Sequence, residues 1–250
     1  MAPWKRCETL EPMTVLPGQL DDRRTPSRPV AVIVALIIGA AVAVLLQRVA
    51  FDGTSGSRIE GSGVAATQTR VLPAFGALDL AGANTVRVRA GRAQSVVVRA
   101  DDNLLRSITT RVEAGVLVVD ATGSFSAKGP MSVDVGIPSL EVITLSGIGR
   151  IEVEGVRAER LTVRLSGSGV VRVSGAVRRL DVTLEGSGDA PLSGLAARDV
   201  RATVTGAGRI TVDAKRSLDA SIRGVGEIVY SGHPTRVTTN VAGSGTIHRG

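Results

Sequence analysis

The chain has 250 residues, a formal net charge of +7, and a composition that is 43% hydrophobic but only 2% aromatic. So few rings exclude a thick globular core, which draws much of its buried area from Phe, Tyr and Trp; Val, Leu, Ile and Ala must fill a narrow interior instead. The lone cysteine, Cys7, excludes an internal disulfide and any cysteine-built metal site.

Residues 1–29 read as a cytoplasmic tail with five basic side chains (Lys5, Arg6, Arg23, Arg24, Arg28) and four acidic ones. From Val30 to Leu46 the chain runs VAVIVALIIGAAVAVLL without a polar side chain. With its uncharged neighbours this approaches the length a helix needs to cross ~30 Å of hydrocarbon. The sequence therefore predicts a single transmembrane helix over 30–47. The basic flank places the N-terminus inside and the C-terminal domain periplasmic or extracellular. The competing reading is a cleaved signal peptide with Ala41-Val42-Ala43 as its site; the apolar run continues through Val44-Leu45-Leu46, which favours a retained anchor. Residues 48–69, rich in Gly, Ser and Thr, read as a flexible linker, and the folded domain is expected over 70–250.

That domain carries a repeat. A Gly-x-Gly element recurs at Gly147/Gly149, Gly167/Gly169, Gly186/Gly188, Gly206/Gly208, Gly224/Gly226 and Gly243/Gly245, in steps of 20, 19, 20, 18 and 19 residues. Apolar residues stand at fixed offsets from it. Leu145, Leu165, Leu184, Val204, Ile222 and Val241 lie two before, and Ile151, Val171, Ala190, Ile210, Ile228 and Ile247 lie four after. Polar residues alternate with them, so each strand has one buried and one wet face. A second small-residue corner follows at Gly155, Gly175, Gly194, Ala214 and Gly232, and a short polar third side leads to the next repeat. The fold class is all-β: a parallel β-solenoid with coils of about nineteen residues, whose equivalent residues stack ~4.8 Å apart into ladders. Positive φ is expected at the corner glycines. A bulge is expected at Pro191, and Arg249 reads as a terminal cap on the last coil. Residues 70–139 alternate less regularly and read as the first, wider coils.

The run Ala100-Asp101-Asp102-Asn103-Leu104-Leu105, the Val-x-x-Gly-x-Leu-x-Val stretch from Val112, and Ile137-Pro138-Ser139-Leu140 followed by Leu145-Ser146-Gly147-Ile148-Gly149 carry a resemblance. Together with the serial Ser-Gly repeats, they resemble the bacterial auto-transporter adhesin family called the "head GIN" domain, over about 70–248. The resemblance implies a β-solenoid at the cell envelope or surface and brings no catalytic residues. Glu185, Thr205, Arg223 and Ala242 replace the serine before the corner, so no continuous serine ladder is expected.

Chemistry-bearing constellations are sparse. His233 and His248 have no partner at metal-ligand spacing. The Gly-x-Gly elements do not open helices after strands, as a nucleotide loop requires. Asp101-Asp102-Asn103 reads as a turn whose side chains bond local backbone. No enzyme activity and no cofactor are expected. One pattern stands out: Arg157, Arg160, Arg178, Arg179, Arg198, Lys215, Arg216 and Arg236 fall on the third side and stack into a basic stripe, in which Arg160, Arg179, Arg198, Arg216 and Arg236 are the candidate site for an anionic envelope polysaccharide or lipid. Nucleic acid is not among the expected partners. The leading function is a membrane-anchored binding or adhesion module. The alternatives are a scaffold that self-assembles coil-to-coil, as bactofilins do, and a polysaccharide-acting enzyme.

Overall fold

The computed structural model describes residues 58–250. The expected tail, the transmembrane helix and residues 48–57 of the linker lie outside them. The described chain begins with β1 (Ile59–Glu60), β2 (Ala65–Arg70), β3 (Ala77–Leu80), β4 (Thr85–Ala90) and β5 (Ser95–Asp101). A 3-10 helix over Asp102–Ser107 leads to β6 (Ile108–Glu113), β7 (Val116–Ala121), β8 (Phe125–Ser126) and β9 (Ser132–Ile137). The repeat region then supplies β10 (Val142–Leu145), β11 (Arg150–Leu165), β12 (Val170–Leu184), β13 (Asp189–Val204) and β14 (Arg209–Gly224). It closes with β15 (Glu227–Ser231), β16 (Arg236–Gly243) and β17 (Thr246–Arg249).

The long strands β11 to β14 pair in parallel, each with the next, as the repeat requires. Leu145, Leu165, Leu184, Val204 and Ile222 are register partners in one buried ladder. Each long strand turns corners. In β11, Ile151 and Val153 point inward, the phase slips at Gly155, Val156 is buried, and it slips again before Leu161, Val163 and Leu165. The coil thus has three sides. The third side is not merely polar: Val156, Val177, Leu195 and Ala197 are buried on it. Two phase slips within a few residues erase the period-two signal there, so its inward positions do not show as alternation.

The glycines of the Gly-x-Gly corner serve a different purpose from the one expected. Among the first glycines only Gly224 and Gly243 have positive φ. At Gly167, Gly186 and Gly206 an added Cβ would collide with the carbonyl of the glycine one coil earlier. Close approach of stacked backbones, rather than a left-handed conformation, excludes a side chain there. At the second corner the expectation holds for Gly155 (φ 76°) and Gly232 (φ 87°). Near Pro191 the ladder between β12 and β13 loses register between Val170 and Gly175, while Pro191 itself pairs with Thr211 on the other side. The irregularity lies toward the neighbour that a proline nitrogen cannot serve.

Residues 70–139 add coils to the same body, but out of chain order. The β3–β4 coil lies between β10–β11 on one side and the later β7–β9 pair on the other. Antiparallel strands then finish that end: β6 on β7, β5 on β9, and β2 on β5. β1 and β2 fall largely within the segment that the sequence reads as linker. Polar side chains hold this segment where apolar pattern is lacking. Asn103 accepts from Ser62 N and donates to Glu60 O, and Ser62 Oγ donates to Asp102. Asp101, 1% exposed, accepts from the backbone N–H groups of Lys128 and Gly129. The Asp-Asp-Asn run turns into the 3-10 helix, where Asp102 Oδ1 accepts from Asn103 N as the sequence reading expects, and it is also a staple between distant segments.

The opposite end is open. β16 is exposed along its whole length, with Val237 and Val241 42% and 43% exposed. Arg249 pairs with Tyr230 and is itself exposed, so it does not cover the final coil.

Candidate functional site: an arginine cleft at one corner of the coil

Where the third side meets the strand run Leu161–Leu165 and its equivalents, successive coils put arginines outward. Arg160 pairs in register with Arg179, Arg179 with Asp199, Asp199 with Ser217, and Ser217 with Arg236. One position earlier, the pairing of Val177 with Ala197 and of Arg179 with Asp199 sets Arg178 beside Arg198. Like charges opposite each other on adjacent strands destabilise a sheet, so these two neighbouring pairs are held by the fold around them rather than by mutual attraction.

The side chains enclose a shallow cleft of about 410 Å³ lined by Glu159, Arg160, Arg178, Arg179, Arg198, Asp199 and Arg216. Five guanidiniums face two carboxylates, a formal balance of +3. Four of the five arginines expected from sequence meet there. Arg236 continues the row beyond Ser217 but does not line the cleft, while Arg178, named in the stripe though not among the five candidate ligand residues, does. A coil corner lets the adjacent Arg178 and Arg179 both face outward.

The two carboxylates do not neutralise the cleft evenly. Asp199 takes two hydrogen bonds from Arg216, Nε at 2.7 Å and Nη2 at 2.5 Å, and a third from Ser217 Oγ. The Arg216 hydrogen bond, then that of Ser217, hold the Asp199 carboxyl down to about 2, and Asp199 in turn raises the Arg216 guanidinium. Glu159 pairs with Arg178 at 3.4 Å, and Arg160 reaches Asp181 only at 3.9 Å. Arg179 and Arg198 form no ion pair among the described residues. They are the guanidiniums with donors to spare, and a guanidinium presents its donors in a planar fork that suits carboxylate, sulfate or phosphate oxygens.

Other polar groups gather no comparable site. Among the described residues no group of three or more His, Cys, Asp or Glu side chains is placed to hold a metal ion. His248 lies 3.6 Å from Glu227 on the exposed last coil, and His233 is in the loop before β16. Lys215 is paired with Asp213 at 2.7 Å.

Known proteins share this fold. A crystal structure from Bacteroides fragilis described as "a putative adhesin" is 23% identical, with a TM-score of 0.65 over 76% of this chain and 99% of that one. A Parabacteroides distasonis structure described as a "Putative lipid binding protein" is 21% identical, with a TM-score of 0.52 over 77% of this chain and 99% of that one. Among curated proteins, none matches the sequence. The family model described as "Putative auto-transporter adhesin, head GIN domain" matches residues 74–234, from just before β3 to just before β16. With well over half of its length so matched, the chain belongs to the head GIN domain family.

Proposed function

We propose that the chain is an envelope-anchored binding or adhesion module whose arginine cleft engages an anionic polymer or the headgroups of anionic lipid. Family membership supports a binding or adhesion role at the cell surface. The apolar run Val30–Leu46, flanked by Arg28 and Arg48, supports the single-pass anchor with the N-terminus inside. The observation that carries the ligand class is the cleft itself: a net excess of guanidiniums, with Arg179 and Arg198 left without carboxylate partners on successive coils. The stacked pairs Arg160/Arg179 and Arg178/Arg198, each at the ~4.8 Å coil spacing, address successive charges of an extended ligand, and weak exposed contacts add across them. We assign the chain no catalytic role.

Binding of the full-length chain in neutral detergent to a soluble anionic polysaccharide tests this. Affinity is expected to fall steeply as salt rises from low to physiological strength, and Arg179→Ser with Arg198→Ser is expected to weaken it about tenfold while leaving the melting temperature alone. Equal affinity in the double variant would refute the cleft.

Coil-to-coil self-assembly is the second reading, and the uncovered β16 edge favours it. The antiparallel strands at the other end oppose it, because they deny an incoming coil a parallel edge, so head-to-tail growth into a filament has no second surface.

A further inference from the structure

A second concentration of arginine lies on a different face. A hollow of about 440 Å³ is lined by Arg87, Arg89, Arg92, Ser95, Val97, Arg99, Asp134, Val135 and Gly136. Four guanidiniums here meet one carboxylate, again a balance of +3. Arg99 is held by Asp134 at 2.9 Å, and Arg87 leans on Glu152 at 3.7 Å. Arg89 and Arg92 form no ion pair among the described residues, although Glu154 is the register neighbour of Arg89.

Gly136 lines this hollow as the register partner of Arg89 on one side and of Ser95 on the other. A Cβ at Gly136 would collide with Ala93 O at 2.5 Å and Ser95 Oγ at 2.7 Å, so the glycine lets the start of β5 close tightly onto β9 and sets the Ser95 hydroxyl beside Arg89. Two uncommitted guanidiniums and a hydroxyl therefore line one hollow. That donor set exceeds what a carboxylate's two oxygens use and matches a tetrahedral oxyanion.

The placement matters as much as the chemistry. Arg87 and Arg89 pair with Glu152 and Glu154, so they stand on the side of the coil that holds Ile151 and Val153. The arginine cleft described above lies at the corner where the other two sides meet. In a three-sided coil that corner is opposite this side.

We propose that Arg89, Arg92 and Ser95 form a second binding site, for a phosphate group, facing away from the arginine cleft and making the domain two-handed toward phosphate-bearing ligands. The two-handedness rests on the function proposed above; the second site stands on its own geometry. The phosphate can come from a phosphate polymer or from a lipid headgroup, and the two sources separate experimentally.

The test is calorimetric titration of the full-length chain, in neutral detergent at low ionic strength, with tripolyphosphate. Two sites per chain are expected. Arg89→Ser with Arg92→Ser should remove one of them, Arg179→Ser with Arg198→Ser the other, each with an unchanged melting temperature. Arg89→Lys with Arg92→Lys should retain binding at reduced affinity. Stoichiometry that does not change in the Arg89/Arg92 variant overturns the proposal. Loss in that variant with no change in the Arg179/Arg198 variant keeps this site and overturns the two-handedness toward phosphate, while the polysaccharide titration decides the cleft separately. A parallel arm offers the same chains vesicles of phosphatidylcholine with or without phosphatidylglycerol. Binding that needs phosphatidylglycerol and Arg89/Arg92 assigns a lipid phosphodiester, binding to tripolyphosphate alone assigns a phosphate polymer, and binding to neither overturns the site.

Discussion

Leu165→Ala probes the stacking that holds the solenoid together. The side chain is 1% exposed, and its register partners are Leu145 and Leu184. One of its terminal carbons lies 2.8 Å from where a Cβ on Gly188 would stand, so the leucine also packs beneath the next corner. Truncation removes about three carbons, ~2.4 kcal/mol at ~0.8 kcal/mol each. The void cannot close fully, because backbones above and below are fixed by their ladders, and the cavity adds to the loss; about 3–4 kcal/mol is the expected total. For a folded unit of this size each kcal/mol shifts the midpoint by ~2–4 °C, which predicts a drop of about 10 °C. Thr162→Ala, on the outward side of the same strand, should shift it by less than about 2 °C. Thermal melts followed by far-UV circular dichroism decide the matter. If the two variants melt together, the inward register of β11 is wrong.

The pH dependence of stability should carry a mark of Asp199. Its folded carboxyl is lowered from 3.8 to about 2, so its stabilising contribution is present above about pH 4 and is lost as pH falls toward 2. The melting temperatures of the native chain and Asp199→Asn should therefore converge between about pH 4 and 2; a gap that stays constant over that range would contradict the Arg216 and Ser217 hydrogen bonds. The anchor is tested by reporter fusions. A reporter active only outside the cytoplasm should work after Gly250 and fail at the N-terminus, and the reverse result would sink the N-in topology.

Sequence periodicity exposed the regular coils because each one repeats the same local pairing, so Leu145, Leu165 and Leu184 announce themselves by spacing. The β3–β10 pairing has no such signal. Ala77 finds Val142 across a stretch containing six other strands, and no repeat unit links them. The third side was hidden by its phase slips, and the true constraint on Gly167 by the fact that a neighbouring carbonyl leaves no trace in composition. Residues 59–69 looked like linker because small and polar residues fill them, yet the side chains of Ser62, Asp102 and Asn103 supply the ties that apolar pattern normally advertises. The arginine cleft was legible in outline, from repeat position alone. The hollow beside Gly136 was not, since it joins strands β4, β5 and β9, whose pairing mixes parallel and antiparallel ladders.

The displaced β7–β9 coil has a cost in chain entropy. Within the repeat, register partners such as Leu145 and Leu165 are 20 residues apart, whereas Ala77 pairs with Val116 at a separation of 39 and with Val142 at 65. Closing a loop of 65 rather than 20 costs about 1 kcal/mol more, from (3/2)RT times the logarithm of their ratio. These long closures are all made by the time β10 and β11, the first strands of the repeat region, have left the ribosome. Every later coil closes a loop of nearly constant, shorter length against an edge already laid down. The entropic burden of building the rod is thus concentrated at its capped end, and lengthening it by further coils at the open end adds only the small, repeated increment.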